Sequence, residues 1–269
     1  MDFDPSTPNL ARMYDYMLGG KDNLAVDREA IDQLVAHIPE AVPLARTNRA
    51  FLRRAVRHLA SAGIRQFLDL GSGLPTQGNV HEIARELCPE ARVLYVDHDP
   101  VVAAHARALL EDGGRVAFVQ ADLLRPAELL AAPEVTGFLD LSEPIGVLLV
   151  SILHFVRDDD DPAGIVKILR DTVAPGSHLV LTHAVSTAGR VEAKKSAEQV
   201  YRGSSTGGIT GRTLEEIRAL FGDFELVEPG LVPAIDWRPD EPRLVGEQVL
   251  PEYLLAGVAR KAEGSGGSR

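Results

Sequence analysis

Asp69, Gly71, Ser72 and Gly73 stand close together in the stretch Arg65-Gln-Phe-Leu-Asp-Leu-Gly-Ser-Gly-Leu-Pro-Thr76. Phe67 to Leu70 is short and apolar, and the Gly-Ser-Gly turn follows at once. Asn79, with Glu82 three places later, signals the start of a helix. A strand, a glycine turn and a helix let a ligand lie against bare backbone, because glycine has no side chain and tolerates positive φ. Asp97 ends a second apolar run, Val93-Leu-Tyr-Val-Asp97, and Asp122 follows a third, Val116 to Val119. Ser151 and His154 lie at the end of a fourth, Pro144 to Leu153. Ligands of open α/β sheets bind outside the carboxyl ends of the strands. An acid at the second strand end can hold two ribose hydroxyls, and one at the third can accept from the exocyclic amine of adenine. The set describes a nucleoside cofactor without a pyrophosphate requirement. Each acid also has a plainer reading: Asp97 could begin a loop, and Asp122 could cap a helix near Pro126. Their order along successive strand ends favours the cofactor.

The elements that must position these residues alternate from residue 65 onward, which predicts parallel strands with right-handed crossovers. Asp27 is expected to cap a helix to about His37, broken by Pro39 and Pro43. A longer helix over 44–62 carries Leu44, Phe51, Leu52, Ala55, Val56 and Leu59 on one face and ends at Gly63. Val80 to Leu87 is the helix after the glycine turn. Asp99-Pro100 opens another, which Gly113-Gly114 ends. Pro144 to Leu153 is apolar enough to be central. Asp158 to Asp161 could be read as a metal site, but Asp161 as cap and Pro162 at the first helical position explain the run better. His178 to Thr182 is a fifth strand. Val191 to Arg202 and the segment opened by the capping box Thr213-Leu-Glu-Glu216 are helices. Phe224 to Val227 and Tyr253 to Arg260 are the last strands. The tail at 263–269 is glycine- and serine-rich and reads as disordered.

The chain has 269 residues, 45% of them apolar and 25% charged, which suits one α/β domain with additions. Its formal charge is −11. A nucleic-acid groove usually leaves a basic footprint, so a small or protein substrate is expected instead. Arg53, Arg54, Arg57 and His58 read as the solvated face of a helix. No run approaches the roughly 20 apolar residues of a membrane span. The acidic start, Met1-Asp-Phe-Asp-Pro, is no secretory signal, and the lone Cys88 offers no disulfide framework. The chain reads as cytoplasmic.

Asp69-Leu-Gly-Ser-Gly73, with Asp97 and Asp122 after the next two strands, resembles the class I S-adenosylmethionine-dependent methyltransferases. Further stretches are similar to one family within that class, the S-adenosyl methyltransferases common in actinomycetes. They are Tyr14-Asp-Tyr-Met-Leu-Gly-Gly-Lys-Asp-Asn23, Leu74-Pro-Thr76, Val150-Ser-Ile-Leu-His-Phe155, Leu226-Val-Glu-Pro-Gly230 and Trp237-Arg-Pro239. The resemblance runs over nearly the whole chain. It implies a Rossmann-like sheet of seven mostly parallel strands with an antiparallel last strand beside the fifth, and helices on both faces. Residues 63–262 would form the methyltransferase domain, with 1–62 as an arm and helices of the same domain. The cofactor implied is S-adenosyl-L-methionine. Gly71, Ser72 and Gly73 would lie under its methionine part, and Asp69 would orient the turn and the ligand amine. Asp97 would hold the ribose hydroxyls, with His98 beside the adenine. Asp122 would bind the adenine amine, with Leu123 near the ring. Ser151 would flank the sulfonium. Residue types alone favour an arm packed through its tyrosines over a lid built on Tyr14 and the backbone of Gly20; the resemblance favours a cofactor cover.

The expected reaction is in-line transfer of a methyl group to an acceptor, a small molecule, that the resemblance does not identify. Positioning can supply much of the catalysis. His154 is the candidate general base, since neutral imidazole suits proton removal near neutral pH, and His183 is the second candidate. Residues 184–212 and the loop at 229–247 are expected to shape the acceptor pocket, with Lys194, Lys195, Tyr201, Arg202 and Trp237 as possible lining. Two other classes compete. A nicotinamide-dependent dehydrogenase would want a third glycine, where Thr76 stands, and gives Asp69 no role. A non-catalytic S-adenosylmethionine-binding protein shares every cofactor residue, and would be favoured if the excursion at 186–212 blocked the sulfonium.

Overall fold

The computed structural model describes residues 4–75, 78–109, 114–186, 191–205, 207–241 and 253–263. Thr76, Gly113 and the tail from 264 fall outside them.

Three helices precede the sheet: α1 (Leu10–Met17), α2 (Ala25–His37) and α3 (Ala41–Ser61). Asp27 caps α2 from its third position and not from the N-cap. The helix begins after Leu24, and the Asp27 carboxylate accepts from the Leu24 N–H at 2.8 Å. Pro43 does not break a helix either. It falls in the first turn of α3, where a backbone N–H has no acceptor within the helix and proline costs nothing. Gly63, at φ +96°, ends α3 as expected.

Strands and helices then alternate: β1 (Gln66–Leu70), α4 (Val80–Arg85), β2 (Arg92–Asp97), α5 (Pro100–Leu109), β3 (Val116–Gln120), α6 (Pro126–Ala131), α7 (Pro133–Thr136) and β4 (Ile145–Leu149). They are followed by α8 (Pro162–Thr172), β5 (His178–Ala184), α9 (Val191–Arg202), α10 (Leu214–Leu220), β6 (Glu225–Leu226), β7 (Val232–Pro233) and β8 (Leu254–Arg260). β4 is shorter than its apolar run. Ser151 takes φ +56°, which ends the extended backbone and turns Leu153–Phe155 into a 3₁₀ turn. Asp161 caps α8, accepting from the Gly164 N–H at 3.0 Å, with Pro162 in the first turn.

The sheet runs β3-β2-β1-β4-β5-β8-β6, with β1 to β5 parallel and β8 antiparallel to β5. This is the expected seven-strand path. The two-residue β7, which pairs with β8, is an addition that short loop segments do not announce. Every residue of β1 and of β4 is buried, as central parallel strands require. One apolar cluster lies under β4, α8 and α10, and a second under α3 and α4. A third joins α1 and α2 to the start of α3 and Tyr201 of α9. Among the described residues no helix is long and apolar enough to cross a membrane.

Candidate active site

The carboxyl ends of β1 and β2 are tied together by the residues expected to do chemistry. Gly71 and Ser72 donate their N–H groups to the Val96 carbonyl at 2.8 and 3.1 Å. Asp97 accepts from the Gly73 N–H at 2.9 Å and from the Asp99 N–H at 3.0 Å, so its carboxylate fixes the glycine turn as well as facing the space beyond it. Burial pushes the Asp97 carboxyl above its usual range, and these two N–H groups partly offset that. Asp69, buried at the end of β1, is pushed up to about 7 by desolvation; the Arg49 guanidinium opposes the rise and Asp97 adds to it. Gly73, at φ +65°, has open space where a side chain would begin, a cradle of bare backbone. Gly71 takes φ +71°, and a Cβ there would stand 2.5 Å from the Ile152 side chain. Gly71→Ala is therefore expected to cost roughly 1–3 kcal/mol in folding stability through backbone strain and the Ile152 contact, measurable by urea denaturation; an unchanged midpoint would refute the close approach.

The N-terminal segment is fastened over this end of the sheet. Asn9 caps α1, and its amide also donates to the Asp99 carboxylate after β2. Ser205 donates its N–H to the Pro8 carbonyl at 3.0 Å and accepts from the Leu10 N–H at 3.2 Å. Tyr14 donates to the Ala45 carbonyl at 3.1 Å and accepts from the Asn48 amide at 2.9 Å. Thr182 then donates to Asn48 Oδ1 and accepts from the Ser151 N–H, both at 2.8 Å. This buried chain joins the arm to the strained backbone at Ser151. Gly20 plays a different part from the one expected. It lies outside the cavity lining, and a Cβ there would stand 1.9 Å from the Asp15 carboxylate, so its glycine makes room for Asp15.

A cavity of about 300 Å³ opens between the arm and the sheet. Tyr14, Asp69, Gly71, Ser72, Gly73, Asp97, His98, Ser151 and His154 all line it. Asp122 and Leu123 do not. Asp122 is exposed past the end of β3 and its carboxylate accepts from the Leu124 N–H at 2.9 Å, while Leu123 packs on the core. His154 is 6% exposed and its Nδ1 has no hydrogen-bond partner among the described residues. Burial, reinforced by His183 and Arg212, holds it well below the ordinary histidine range, so it is neutral at pH 7. His183 is not available as a base. Its Nδ1 is 2.7 Å from the Ala184 carbonyl, which sets Nε2 as the acceptor for the Arg212 guanidinium at 2.8 Å. Arg212 also donates to the carbonyls of Leu153 and Val156, clamping the turn that carries His154.

Among the described residues the excursion after β5 does not fill the space: Ala197, Glu198 and Tyr201 of α9 line the same cavity as Ser151. Trp237 is a core residue, wholly buried edge-on against Phe51 at 5.4 Å, with Arg54 donating to its carbonyl. Lys195 and Arg202 are exposed, outside the lining; the side chain of Lys194 lies outside the described residues. Arg53 and Arg57 face Glu86 in solvent as expected, but Arg54 is half-buried. Asn48, Arg49 and Thr182 escaped the sequence reading. Asn48 alone left a signal: it interrupts the apolar stripe of α3 between Leu44 and Phe51.

A family model for S-adenosyl methyltransferases matches residues 1–262. A crystal structure from Thermobifida fusca, described as that of a methyltransferase, is 45% identical, covers 96% of each chain and superposes with a TM-score of 0.88. A DUF574 family protein from Streptomyces avermitilis is 39% identical, with 96% of this chain and 99% of that one covered and a TM-score of 0.88. An O-methyltransferase family protein from Burkholderia thailandensis, at 16% identity, TM-score 0.52 and coverage of 79% and 55%, shares the fold. The curated proteins contain no match. A model spanning almost the whole chain and two relatives of this similarity place it in the S-adenosyl methyltransferase family, as a class I S-adenosylmethionine-dependent methyltransferase.

Proposed function

We propose that the cavity beneath the arm holds S-adenosylmethionine at its sheet end and a small-molecule methyl acceptor at its other end. The observation that carries this is the convergence of the Gly71–Gly73 turn, Asp69, Asp97 and the arm on one enclosed space. The donor set suits the cofactor. Asp97 offers a carboxylate to vicinal hydroxyls, His98 adjoins it, and bare backbone at Gly73 admits an extended chain. Asp69 suits an ammonium group and Arg49, which lines the same cavity, suits a carboxylate. When bound, the cofactor supplies an electrophilic methyl group on a sulfonium. Ser151, held by Thr182, and Ile152, beside the Leu153 carbonyl that Arg212 clamps, shape the wall next to the acceptor, and the arm excludes water. His154, neutral and part of the cavity lining, takes the acceptor's proton.

Calorimetric titration with S-adenosylmethionine, S-adenosylhomocysteine and NAD tests the reading: the first two bind and NAD does not. Asp97→Ala should weaken S-adenosylhomocysteine by about 1.5–3 kcal/mol, the range for a hydrogen bond to a charged group, or about tenfold to a hundredfold. Unchanged affinity would remove Asp97 from the site.

A further inference from the structure

The two ends of the cavity are built from different materials. At the sheet end stand carboxylates, a guanidinium and bare backbone. The other end is the inner face of the third apolar cluster, made by α1, α2, the start of α3 and α9. Leu10, Ile38, Phe155, Ala197 and Ile209 are only partly buried by protein, pack on that cluster and line the cavity. The Phe155 ring lies 5.2 Å from the Tyr201 ring, so an aromatic pair forms part of this wall. Apolar surface turned toward an enclosed space gains from being covered by an apolar ligand, and aromatic rings favour a further ring against them.

The charges around this end argue against an anion. Glu198 and Asp15 line it and both are acidic, which opposes an anion. Asp15 Oδ2 accepts from the Asp22 N–H and the Asn23 amide, each at 2.9 Å, so one of its oxygens is already engaged by the chain. The Tyr201 hydroxyl is pushed up to about 12 by burial and stays uncharged, and His154 is neutral. A charged ligand group here would lose its hydration to walls that are largely hydrocarbon.

We infer that the arm end of the cavity is the acceptor subsite and takes an uncharged aromatic molecule, packed against the Phe155–Tyr201 pair. The inference rests on the methyltransferase reading of the sheet end.

The full chain saturated with S-adenosylhomocysteine is titrated with 2-naphthol, with the anion 6-hydroxy-2-naphthoate and with the cation tyramine. 2-Naphthol should bind about tenfold or more tighter than either charged probe. Ala197→Phe, which fills this end, should weaken 2-naphthol by about tenfold or more while leaving S-adenosylhomocysteine affinity within about twofold. Ile209→Asp, which charges the same wall, should do likewise. Charged probes binding as tightly as 2-naphthol, no binding of 2-naphthol, or 2-naphthol binding that survives Ala197→Phe would each overturn the inference. Tyramine binding tightest would mean that Glu198 selects an amine. The ranking on the unmodified chain decides by itself if a variant does not fold. Failure of the unmodified chain to bind S-adenosylhomocysteine would instead overturn the cofactor reading.

Discussion

Asp27→Ala is expected to destabilise the fold by about 3–5 kcal/mol, the cost of breaking a buried ion pair by removing one partner. Asp27 is fully buried and Arg12 is 3% exposed. The carboxylate receives the Arg12 guanidinium at 2.6 and 3.1 Å, the Asn9 N–H at 2.8 Å and the Leu24 N–H at 2.8 Å. One side chain therefore joins the first turn of α1, the first turn of α2 and the residue that contacts Asp99. Alanine would leave Arg12 buried without this carboxylate and two backbone N–H groups without their acceptor. The loss should appear in urea denaturation, and it should weaken S-adenosylhomocysteine binding, because the arm that covers the cavity is anchored through Asn9. A stability change under about 1 kcal/mol would show that the pair is solvated and the arm loosely held.

S-adenosylhomocysteine affinity should fall as pH is lowered from 7 to 5, by up to about a hundredfold. The cause is Asp69, whose carboxyl burial pushes up to about 7. Below that value the empty site holds a proton on Asp69, and a ligand ammonium needs the carboxylate. Each pH unit below 7 then costs about tenfold in affinity, and proton release accompanies binding. The sign for folding is the reverse of the usual carboxylate case. An unfolded aspartate loses its proton near 4 while the folded one keeps it to about 7, so the contribution of Asp69 to stability falls as pH rises across that window. Asp69→Asn should flatten the pH dependence of binding and leave a weak affinity at pH 7. An equal slope in Asp69→Asn would assign the titration to another group. Asp97, also raised by burial, would be the next to test.

Much of the site could be read from the chain because parallel strands impose an order on it. Each apolar run ends in a loop on the same side of the sheet, so Asp69, Asp97 and Ser151 had to approach one another. Local signals were equally legible: Asp161 before Pro162, Glu216 three places after Thr213, and Gly63 past α3 report hydrogen bonds or φ values that lie within a few residues. Two of the errors come from contacts distant in the chain. Asp27, expected to cap α2, is the hub of a contact 18 residues distant. Trp237, expected in a pocket, is core because Phe51 and Arg54 cover it from nearly 200 positions away in the chain. The other two are local: Gly20 makes room for the Asp15 carboxylate in the last turn of α1, and Asp122 turns outward to the Leu124 N–H.

The sequence by itself determined the alternation of strands and helices and the chemical types at the strand ends, because hydrophobic period, turn residues and capping spacings act over short distances. Only the tertiary structure decided what those groups can do. It set Asp69 near neutrality by burying it, gave His183 to Arg212 and placed His154 in the cavity lining. It also joined the arm to Ser151 through Tyr14, Asn48 and Thr182, and gave the cavity an apolar end. Desolvation, partner choice and enclosure depend on what surrounds an atom in space, and no local pattern in the chain records that.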